Sequence, residues 1–569
     1  MRLSPNMQIN DNEKLVEKNQ SVFVWFLLAF LVGLGLRLWR LSDMHFTLAE
    51  AQIAQGAWQI ARGDASGLPG NMSYTGLSAF LFFLFEPSYL FARLIPVLLG
   101  SSLILVPWFW RDVLGKQAAL VLTFGMAIDP LLLSFSRQIV TPIFVLAGLA
   151  WAMTALKNKR PALAGSMLSL AFLGGYTFWV VALVGGVVFL VRRKQGQFEF
   201  ANNSYRAKTF LKPFLTSFFV SLVLVCSAFL LCSEGLGGIG AGLVEFVQLF
   251  GKKYEIAPYQ PIMVAIAYSI LPLFFAIWAI IDDLRNHQPL KNLPFLIGWV
   301  VCVLLSVLLG RRDLGMLVFA AVLAWLAAAG CIAHILEQGS ERQEIVLAVT
   351  LFQIVILGYI QMVSGRLVSS AVNSQEFQFA LFAVLAGVLL LVISTILVGM
   401  GWSRQVGRQA LQNSLLIMLI FLTVGLSLRS IRSQQESTTL SLLAGPIVLP
   451  NNDIEEAVAE IDREGRADRT EITYDPGSLE QELSWFFRQQ VNWKSTKTDL
   501  QADLMLSENE TDFSAADAYR GRNIVLFRNI DTNVVKPIDF LKTLLGEPLP
   551  SVSQNGILWV RLNLFTGAN

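Results

Sequence analysis

The run 377–399 reads FQFALFAVLAGVLLLVISTILVG and decides the fold of this chain. It has no charged side chain and exceeds the roughly 20 apolar residues that a helix needs to span a bilayer. Similar runs recur through the first three quarters of the sequence, and the mean hydropathy is +0.57. Of the 569 residues 15% are charged, whereas a soluble protein carries about 25%. The sequence therefore predicts a polytopic α-helical membrane protein.

Working outward from that run, we interpret about 13 apolar runs as transmembrane helices. Two short ones, 162–177 and 178–191, meet at Gly174-Gly175-Tyr176. The first run follows a polar tail and is too long for the apolar core of a cleavable signal peptide, so we expect it to be retained. The predicted spans are 21–41, 94–110, 117–133, 139–156, 162–177, 178–191, 213–233, 261–281, 293–309, 314–336, 344–363, 377–399 and 412–430.

The distribution of Lys and Arg between alternate loops predicts the orientation of the chain. With the N-terminus in the cytoplasm, the short inner loops hold about twice as many basic residues as the outer ones. An odd number of spans then places the chain after Arg429 outside. The predicted organisation is a cytoplasmic tail at 1–20, a transmembrane domain at 21–430 with large outer loops at about 42–93 and 234–260, and an extracytoplasmic domain at 431–569.

The C-terminal stretch has the composition of a small α/β domain. From Ile431 onward about 13 basic and 21 acidic residues give a charge near −8, so the membrane part is near +10. We expect this domain to act as a lid or interaction module, because it has no cysteine and no catalytic motif. Strand-like runs lie at 471–474, 523–527 and 557–565, capping boxes begin helices at Asp453 and Ser478, and Pro537 fits the first turn of a third helix.

Several classes of function are disfavoured by what the sequence lacks. The inner loops carry no Gly-rich phosphate loop, which argues against a nucleotide-driven pump. The positive excess of the membrane part is explained by topology and does not indicate a nucleic-acid partner. The four cysteines lie inside apolar runs without metal-type spacing, so we interpret them as core residues.

The first outer loop holds the acids that are candidates for chemistry. A helical pattern from Leu48 to Ala61 suggests a helix lying in the membrane interface, with Glu50 in its first turn. Glu50 is either a general base or a residue that favours the positive end of that helix. His45 is either a proton carrier or a polar loop residue, and Asp43 is a further acid nearby.

Basic residues at the outer membrane boundary are candidates for binding a lipid phosphate. A guanidinium group binds phosphate through two parallel hydrogen bonds, and an Arg at this depth needs an anion or a route to water. Each is otherwise explained by topology alone. The candidates are Arg93, Arg137, Arg311 and Arg312, joined by Lys252 and Lys253 in the outer loop at 234–260.

Six short stretches, taken in order, resemble the C-type fold of integral-membrane glycosyltransferases. The resemblance is to the protein mannosyltransferase and lipid A aminoarabinose transferase superfamily, and it is closer still to bacterial and archaeal flippase-associated membrane proteins. It runs along most of the chain. The stretches are Leu36-Arg37-Leu38, Ala49-Glu50-Ala51, Ala92-Arg93-Leu94-Ile95-Pro96 with Gly100, Asp129-Pro130 with Ser134-Phe135-Ser136-Arg137, Glu234-Gly235-Leu236, and Ser484-Trp485-Phe486-Phe487-Arg488.

The resemblance implies transfer of a sugar from a polyprenyl-phosphate donor to an acceptor at the outer face. In such enzymes an Asp in the first outer loop deprotonates the acceptor or orients a divalent metal, and basic residues hold the leaving phosphate. Here Ala49 stands at the Asp position, and Thr141 stands where a second acid is usual. Glu50 is the acid left to serve as base, although it points roughly 100° around a regular helix from residue 49.

Three hypotheses follow from the sequence. The first is a polyprenyl-phosphate-sugar-dependent glycosyltransferase that uses Glu50. The second is a catalytically degenerate relative that binds glycolipid or organises a membrane-protein partner. The third, a lipid-linked sugar transporter or flippase, is less expected because no repeated halves are found. In each case we expect an integral protein of the bacterial inner or plasma membrane, in contact with membrane lipids; the sequence leaves the sugar, the acceptor and the metal open.

Overall fold

The computed structural model describes most of the membrane part of the chain and the strands of the C-terminal part. The described ranges are 23–44, 46–63, 72–194, 204–249, 258–287, 289–309, 314–338, 342–370, 374–435, 447–448, 472–475, 485, 493–495, 504–507, 519–530 and 551–561.

Helices dominate the described residues. In chain order they are α1 (23–38), α2 (Leu48–Ala61), α3 (Met72–Leu84), α4 (Tyr89–Leu103), α5 (Val106–Phe109), α6 (Arg111–Leu114), α7 (Lys116–Ile128), α8 (Pro130–Ser136), α9 (Thr141–Lys157), α10 (Pro161–Phe172), α11 (Tyr176–Lys194), α12 (Ser204–Cys226), α13 (Ala241–Gln248), α14 (Tyr259–Tyr268), α15 (Ile270–Arg285), α16 (Leu293–Leu308), α17 (Leu317–Glu337), α18 (Gln343–Ser369), α19 (Gln375–Gly401) and α20 (Arg404–Gln435).

The chain is an integral membrane protein built mostly from helices. Among the described residues, 6 helical segments are long and apolar enough to cross a membrane, and up to 9 do so if each bent helix pair is one span. The predicted number of about 13 therefore stays a prediction, although helix occupies most of the described residues in each predicted run. The six segments are Phe23–Asp43, Tyr89–Phe109, Leu314–Glu337, Gln343–Ser369, Gln375–Gly401 and Arg404–Arg432.

Each of the three bent pairs breaks at a residue that ends one helix and starts the next. Between α7 and α8 the chain bends by 54° at Asp129, whose carboxylate accepts from the Leu132 amide, and Pro130 follows at the first helical position. Gly175 adopts a φ of 65° at the 118° bend between α10 and α11. The pair α14 and α15 bends by 80° at Ser269. The predicted spans 162–177 and 178–191 are thus the two arms of one bent pair.

Helix α17 lies at the centre of the bundle. Its small residues, many of them alanine, let neighbouring helices approach closely, as is usual in membrane helix packing. It packs against α7, α8, α9, α14, α15, α16 and α20. Trp325 of this helix lies over Gly125 of α7 and donates from Nε1 to Asp129 Oδ2 at 2.8 Å. Among the described residues, the largest buried cluster forms around α17.

A six-stranded mixed sheet forms in the C-terminal part, in the order β1-β5-β6-β4-β2-β3. Strand β2 is parallel to β3 and β4, whereas the other pairs are antiparallel. The predicted strands at 471–474, 523–527 and 557–565 correspond to β2, β5 and β6; the predicted helices at Asp453, Ser478 and Pro537 lie outside the described residues. The strands are β1 (Ile447–Val448), β2 (Ile472–Asp475), β3 (Trp493–Ser495), β4 (Leu504–Ser507), β5 (Tyr519–Ile530) and β6 (Ser551–Arg561).

The contact between Gly125 and Trp325 gives a test of the central packing. A Cβ at residue 125 would lie 2.4 Å from the Trp325 ring, which the hydrogen bond to Asp129 holds in place. We expect Gly125→Ala to destabilise the fold by about 1–3 kcal/mol through overpacking. Thermal unfolding of the detergent-solubilised protein measures this loss.

The matched control is Gly35→Ala in α1, where an added Cβ has no neighbour within 4 Å. Both substitutions raise helix propensity equally, so their difference isolates the contact with the indole. A Gly125→Ala protein as stable as wild type would contradict this account of the core.

Candidate functional site

The candidate site begins with the cap of α2. Thr47 Oγ1 accepts from the Glu50 amide at 3.3 Å, and Glu50 Oε2 accepts from the Thr47 amide at 3.0 Å. This reciprocal pair is a capping box, which satisfies two backbone donors that the first helical turn leaves open. It also fixes the direction of the Glu50 side chain, because the carboxylate must turn back toward the start of its own helix.

A buried ion pair joins that carboxylate to α4. Arg93 donates from Nε to Glu50 Oε1 at 3.0 Å and from Nη2 to Glu50 Oε2 at 2.9 Å. The two side chains are only 0% and 2% exposed. Two parallel bonds between a guanidinium and a carboxylate are strong and directional. The pair therefore sets the position of α2 relative to α4.

Backbone atoms of two further loops form hydrogen bonds with this ion pair. The Ile139 amide, in the connection between α8 and α9, donates to Glu50 Oε1 at 3.0 Å. Arg93 Nη1 donates to the Met44 carbonyl at 2.8 Å, and its guanidinium lies 4.6 Å from the centre of the Phe46 ring. The ion pair thus holds together the end of the first span, α2, α4 and the α8–α9 connection.

The surroundings of Glu50 stabilise its charged form. Burial alone would raise the pKa of this carboxyl, but the Arg93 charge and the hydrogen bonds from Arg93, Thr47 and Ile139 outweigh it. The net effect is a pKa below the usual range for Glu. Five hydrogen bonds reach the two carboxylate oxygens, from Arg93 Nε and Nη2, the Ile139 amide, and the Thr47 amide and hydroxyl.

Arg137 is buried beside this pair and binds the end of α1. Its Nη1 donates to the carbonyls of Leu36, Arg37 and Trp39 at 2.9–3.0 Å. Its Nη2 lies 3.3 Å from Met44 Sδ. The last carbonyls of a helix have no partner within the helix, and a cation there also suits the helix dipole. Arg137 therefore binds the C-terminal end of the first span.

A second buried arginine, Arg37 of α1, binds backbone carbonyls of α7. Its Nη1 donates to the carbonyls of Gly33 at 2.9 Å and Ala127 at 3.4 Å, and its Nη2 donates to Met126 at 3.2 Å. The Met126 and Ala127 carbonyls lie at the end of α7, just before the bend at Asp129. Arg37 and Arg137 thus connect α1 to both arms of the bent pair α7–α8.

An indole from the C-terminal part packs against this cluster. Trp485 is 1% exposed, and its ring centre lies 5.4 Å from Phe46, 5.6 Å from Phe82 and 6.1 Å from Tyr89. Phe46 is also the ring under the Arg93 guanidinium. The C-terminal part therefore contacts the segment between α1 and α4 directly at the Glu50 site.

The structure separates the residues at the two positions where the resemblance expects acids. Ala49 is exposed on α2, next to the buried Glu50. Thr141 is buried, and its hydroxyl lies 3.1 Å from that of Thr177. Residue 49 therefore carries a methyl group at an exposed position, and the carboxylate belongs to its buried neighbour Glu50.

The predicted site residues fall into three groups. Glu50, Arg93 and Arg137 come together in the buried cluster, where both guanidinium groups bind protein atoms. Asp43 stays apart, at the surface, in an ion pair of 2.7 Å with Arg40. Predictions for the remaining candidates fall outside the described residues: His45, Lys252, Lys253, Arg311 and Arg312.

Sequence reasoning missed several members of the cluster. The capping box was visible as Thr47 followed three residues later by Glu50. By contrast, no local pattern signals that Ile139 and Met44 offer backbone atoms to the ion pair. Within the described part of the chain no group of three or more His, Cys, Asp or Glu side chains forms a metal site.

Comparison with known proteins places two solved structures beside this chain. ArnT from Cupriavidus metallidurans bound to undecaprenyl phosphate has a TM-score of 0.49 and 13% identity, and the match covers 84% of this chain and 86% of that one. The same protein in the apo state has a TM-score of 0.46 and 14% identity, covering 82% and 85%. No family model and no curated protein matches the sequence.

The Glu50–Arg93 pair should contribute strongly to the stability of the contact between α2 and α4. Removing one partner of a buried ion pair leaves an uncompensated charge and costs about 3–5 kcal/mol. We therefore expect Glu50→Gln and Arg93→Met each to destabilise the protein by that amount, measured by thermal unfolding in detergent. The double variant should lose less than the sum, because neither charge is then left alone.

The control is the exposed pair of Arg40 and Asp43, whose side chains are 60% and 45% exposed. Asp43→Asn should change stability by less than about 1 kcal/mol. Equal losses of stability in Asp43→Asn and Glu50→Gln would show that the buried pair contributes no more to folding than the exposed one.

The pH dependence of stability follows from the lowered pKa of Glu50. A carboxyl whose pKa is lower in the folded state contributes stability that is complete above its unfolded value, about 4.3. That contribution is lost as the pH falls through the folded pKa. The difference in melting temperature between wild type and Glu50→Gln should be constant from pH 7 to 5 and shrink below about pH 4. A difference that grew on acidification would contradict the assignment.

Proposed function

We propose that this chain is a membrane glycosyltransferase-type protein that takes a polyprenyl-phosphate-linked sugar as donor at the outer face. The observation that carries the proposal is the meeting of separate sequence motifs at one site. Five of the stretches that resemble the family are far apart in the chain. The folded structure brings residues of all five into one connected cluster.

The contacts that join those stretches are specific. Glu50 of the first outer loop binds Arg93 of α4 through two hydrogen bonds. Arg137 at the end of α8 donates to the Arg37 carbonyl at 3.0 Å. Trp485 of the C-terminal part packs on Phe46, which in turn lies under Arg93. Motifs that were picked out by order alone are thus also neighbours in space, which supports the resemblance independently of composition.

The proposed organisation keeps the predicted domains. Residues 21–430 form the transferase-type membrane domain, with its N-terminal tail at 1–20 in the cytoplasm. Residues 431–569 form an extracytoplasmic lid over the site, and the contact of Trp485 with Phe46, Phe82 and Tyr89 supports this role. The expected location is the bacterial inner or plasma membrane.

The chemistry requires a base for the acceptor and cations for the leaving phosphate. We propose that the donor phosphate displaces the Glu50 carboxylate from Arg93, since a guanidinium binds either group through the same two hydrogen bonds. The freed Glu50 then takes the acceptor proton. Further phosphate contacts are proposed for Arg137 and for the basic loop residues at 252–253 and 311–312, and a divalent metal is left open.

A second candidate function is favoured because the Glu50 carboxylate is already fully hydrogen-bonded within the protein. Five hydrogen bonds occupy the Glu50 carboxylate, and the exposed position 49 carries only a methyl group. A scaffold in this state suits a glycolipid-binding or partner-organising subunit without turnover. The two candidates share one ligand and differ only in whether the sugar is transferred.

The deciding experiment measures donor consumption by the purified, reconstituted chain. A panel of polyprenyl-phosphate sugars is supplied with envelope extract as acceptor, and the free polyprenyl phosphate formed is quantified together with donor binding. Transfer by the native chain that falls about 10²–10⁴-fold in Glu50→Gln, with donor binding retained, would support the transferase. Retained binding shows that the variant is folded.

Restoring the absent acid provides the complementary test. Residue 49 is the exposed second position of α2, where an Asp also suits the helix dipole. If the scaffold is degenerate, the native chain should bind donor without turnover, and Ala49→Asp should create measurable transfer. Gln52→Asp, which adds the same charge at another exposed position of α2, is the control. Failure of the native chain to bind any donor would contradict both candidates.

A further inference from the structure

A cavity of about 590 Å³ lies among α15, α19 and α20, away from the Glu50 site. Helix α20 passes both the Glu50 site and the cavity, and its length gives the distance between them. Its residue Ser427 donates to the Ile128 carbonyl, near the outer cluster, whereas Arg404 at its start lines the cavity. At 1.5 Å per residue these two positions are about 35 Å apart along the helix. The cavity therefore lies at the opposite end of the bundle, which the charge bias predicts to be cytoplasmic.

The polar wall of the cavity carries an excess of positive charge. Three arginines line it, Arg285, Arg404 and Arg408, together with the single carboxylate Asp282. Arg408 donates from Nη2 to Asp282 Oδ1 at 2.7 Å, so these two charges are paired. Within the described part of the chain, Arg285 and Arg404 form neither a side-chain hydrogen bond nor an ion pair. Two guanidinium groups therefore remain for an anion.

The other wall is apolar and faces outward from the bundle. Ile281, Ile396 and Met400 line the cavity and are 47%, 54% and 81% exposed. Gly399 widens the space, because a Cβ added there would meet only the Arg404 Cα, at 3.8 Å. A groove with cations at its end and exposed apolar side chains along its length matches a molecule with a charged head and hydrocarbon chains.

We propose that this cavity binds the phosphate headgroup of an anionic membrane phospholipid, with the acyl chains along α15 and α19. Arginine pairs with phosphate bidentately, and basic pockets between transmembrane helices on the cytoplasmic side are suited to such headgroups. The ion pair of Arg408 and Asp282 holds α20 against α15 and keeps the cavity open. The site is separate from the proposed transferase site and does not depend on it.

An arginine that only helps to set the orientation of a span does not need a cavity between helices. An Arg at the end of a span can extend to water along the membrane surface and needs no space between helices. Arg285 and Arg404 instead converge, from the end of one helix and the start of another, on a single volume. The apolar wall distinguishes a lipid from free phosphate, because inorganic phosphate gains nothing from Ile281, Ile396 and Met400.

The experiment compares lipid binding to the full-length purified chain in detergent micelles. Phosphatidylglycerol and phosphatidylcholine with identical acyl chains are added, and binding is followed by native mass spectrometry and by the rise in melting temperature. We expect phosphatidylglycerol to bind and stabilise the wild type more than phosphatidylcholine does. The Arg285→Gln/Arg404→Gln double variant should bind phosphatidylglycerol about tenfold more weakly.

Two further variants keep the result interpretable. Lys159→Gln/Arg160→Gln removes two exposed charges between α9 and α10, outside the cavity, and should bind as wild type does. Gly399→Leu fills the cavity without changing any charge and should also weaken binding. Equal binding of both lipids, undiminished binding by the Arg285/Arg404 variant, or inorganic phosphate that competes as well as the lipid would each overturn the proposal.

Discussion

The buried ion pair between Glu50 and Arg93 is the interaction on which the packing of α1, α2, α4 and the α8–α9 connection depends. An ion pair removed from water costs desolvation free energy unless hydrogen bonds satisfy its remaining groups. Here the cap of α2, the Ile139 amide and the Met44 carbonyl supply those bonds. Loops from distant parts of the chain must therefore close around the pair together, since none of them is satisfied alone. A carboxylate that a motif comparison would call catalytic is also the centre of the local fold.

The sequence was a good guide to what depends on local pattern. Apolar length gave the spans, as the helix over 377–399 shows, and Gly174-Gly175 marked the bend between α10 and α11. Alternating apolar residues gave strands β2, β5 and β6, and helical periodicity gave α2. The motifs singled out Glu50 as a candidate base and Arg93 and Arg137 as candidate phosphate ligands, and the structure brings these three residues together. The helices and strands are determined within one segment of the chain. The grouping of Glu50 with the arginines follows because a charged side chain is costly to bury without a partner.

What the sequence did not reveal depends on pairing across long separations. An arginine at a membrane edge is compatible with water, phosphate or backbone carbonyls, and nothing local to Arg137 indicates the carbonyls of Leu36, Arg37 and Trp39. The cavity with Arg285 and Arg404 likewise exists only where two helix ends meet. Apolar length also does not locate a bend inside a run, because the predicted runs 117–133 and 261–281 each cover parts of two helices that meet at an angle.

The capping of α1 by Arg137 has a consequence for how the protein is made. The first helix leaves the ribosome before the guanidinium that closes it, and 100 residues separate Arg37 from Arg137. At a synthesis rate of about 5–20 residues per second, that interval lasts roughly 5–20 s. During it, the terminal carbonyls of α1 must be solvated at the membrane surface or held by the insertion machinery. The first span is therefore synthesised well before the residue that binds its terminal carbonyls. Its C-terminal end reaches its final set of hydrogen bonds only after α8 and Arg137 have been synthesised.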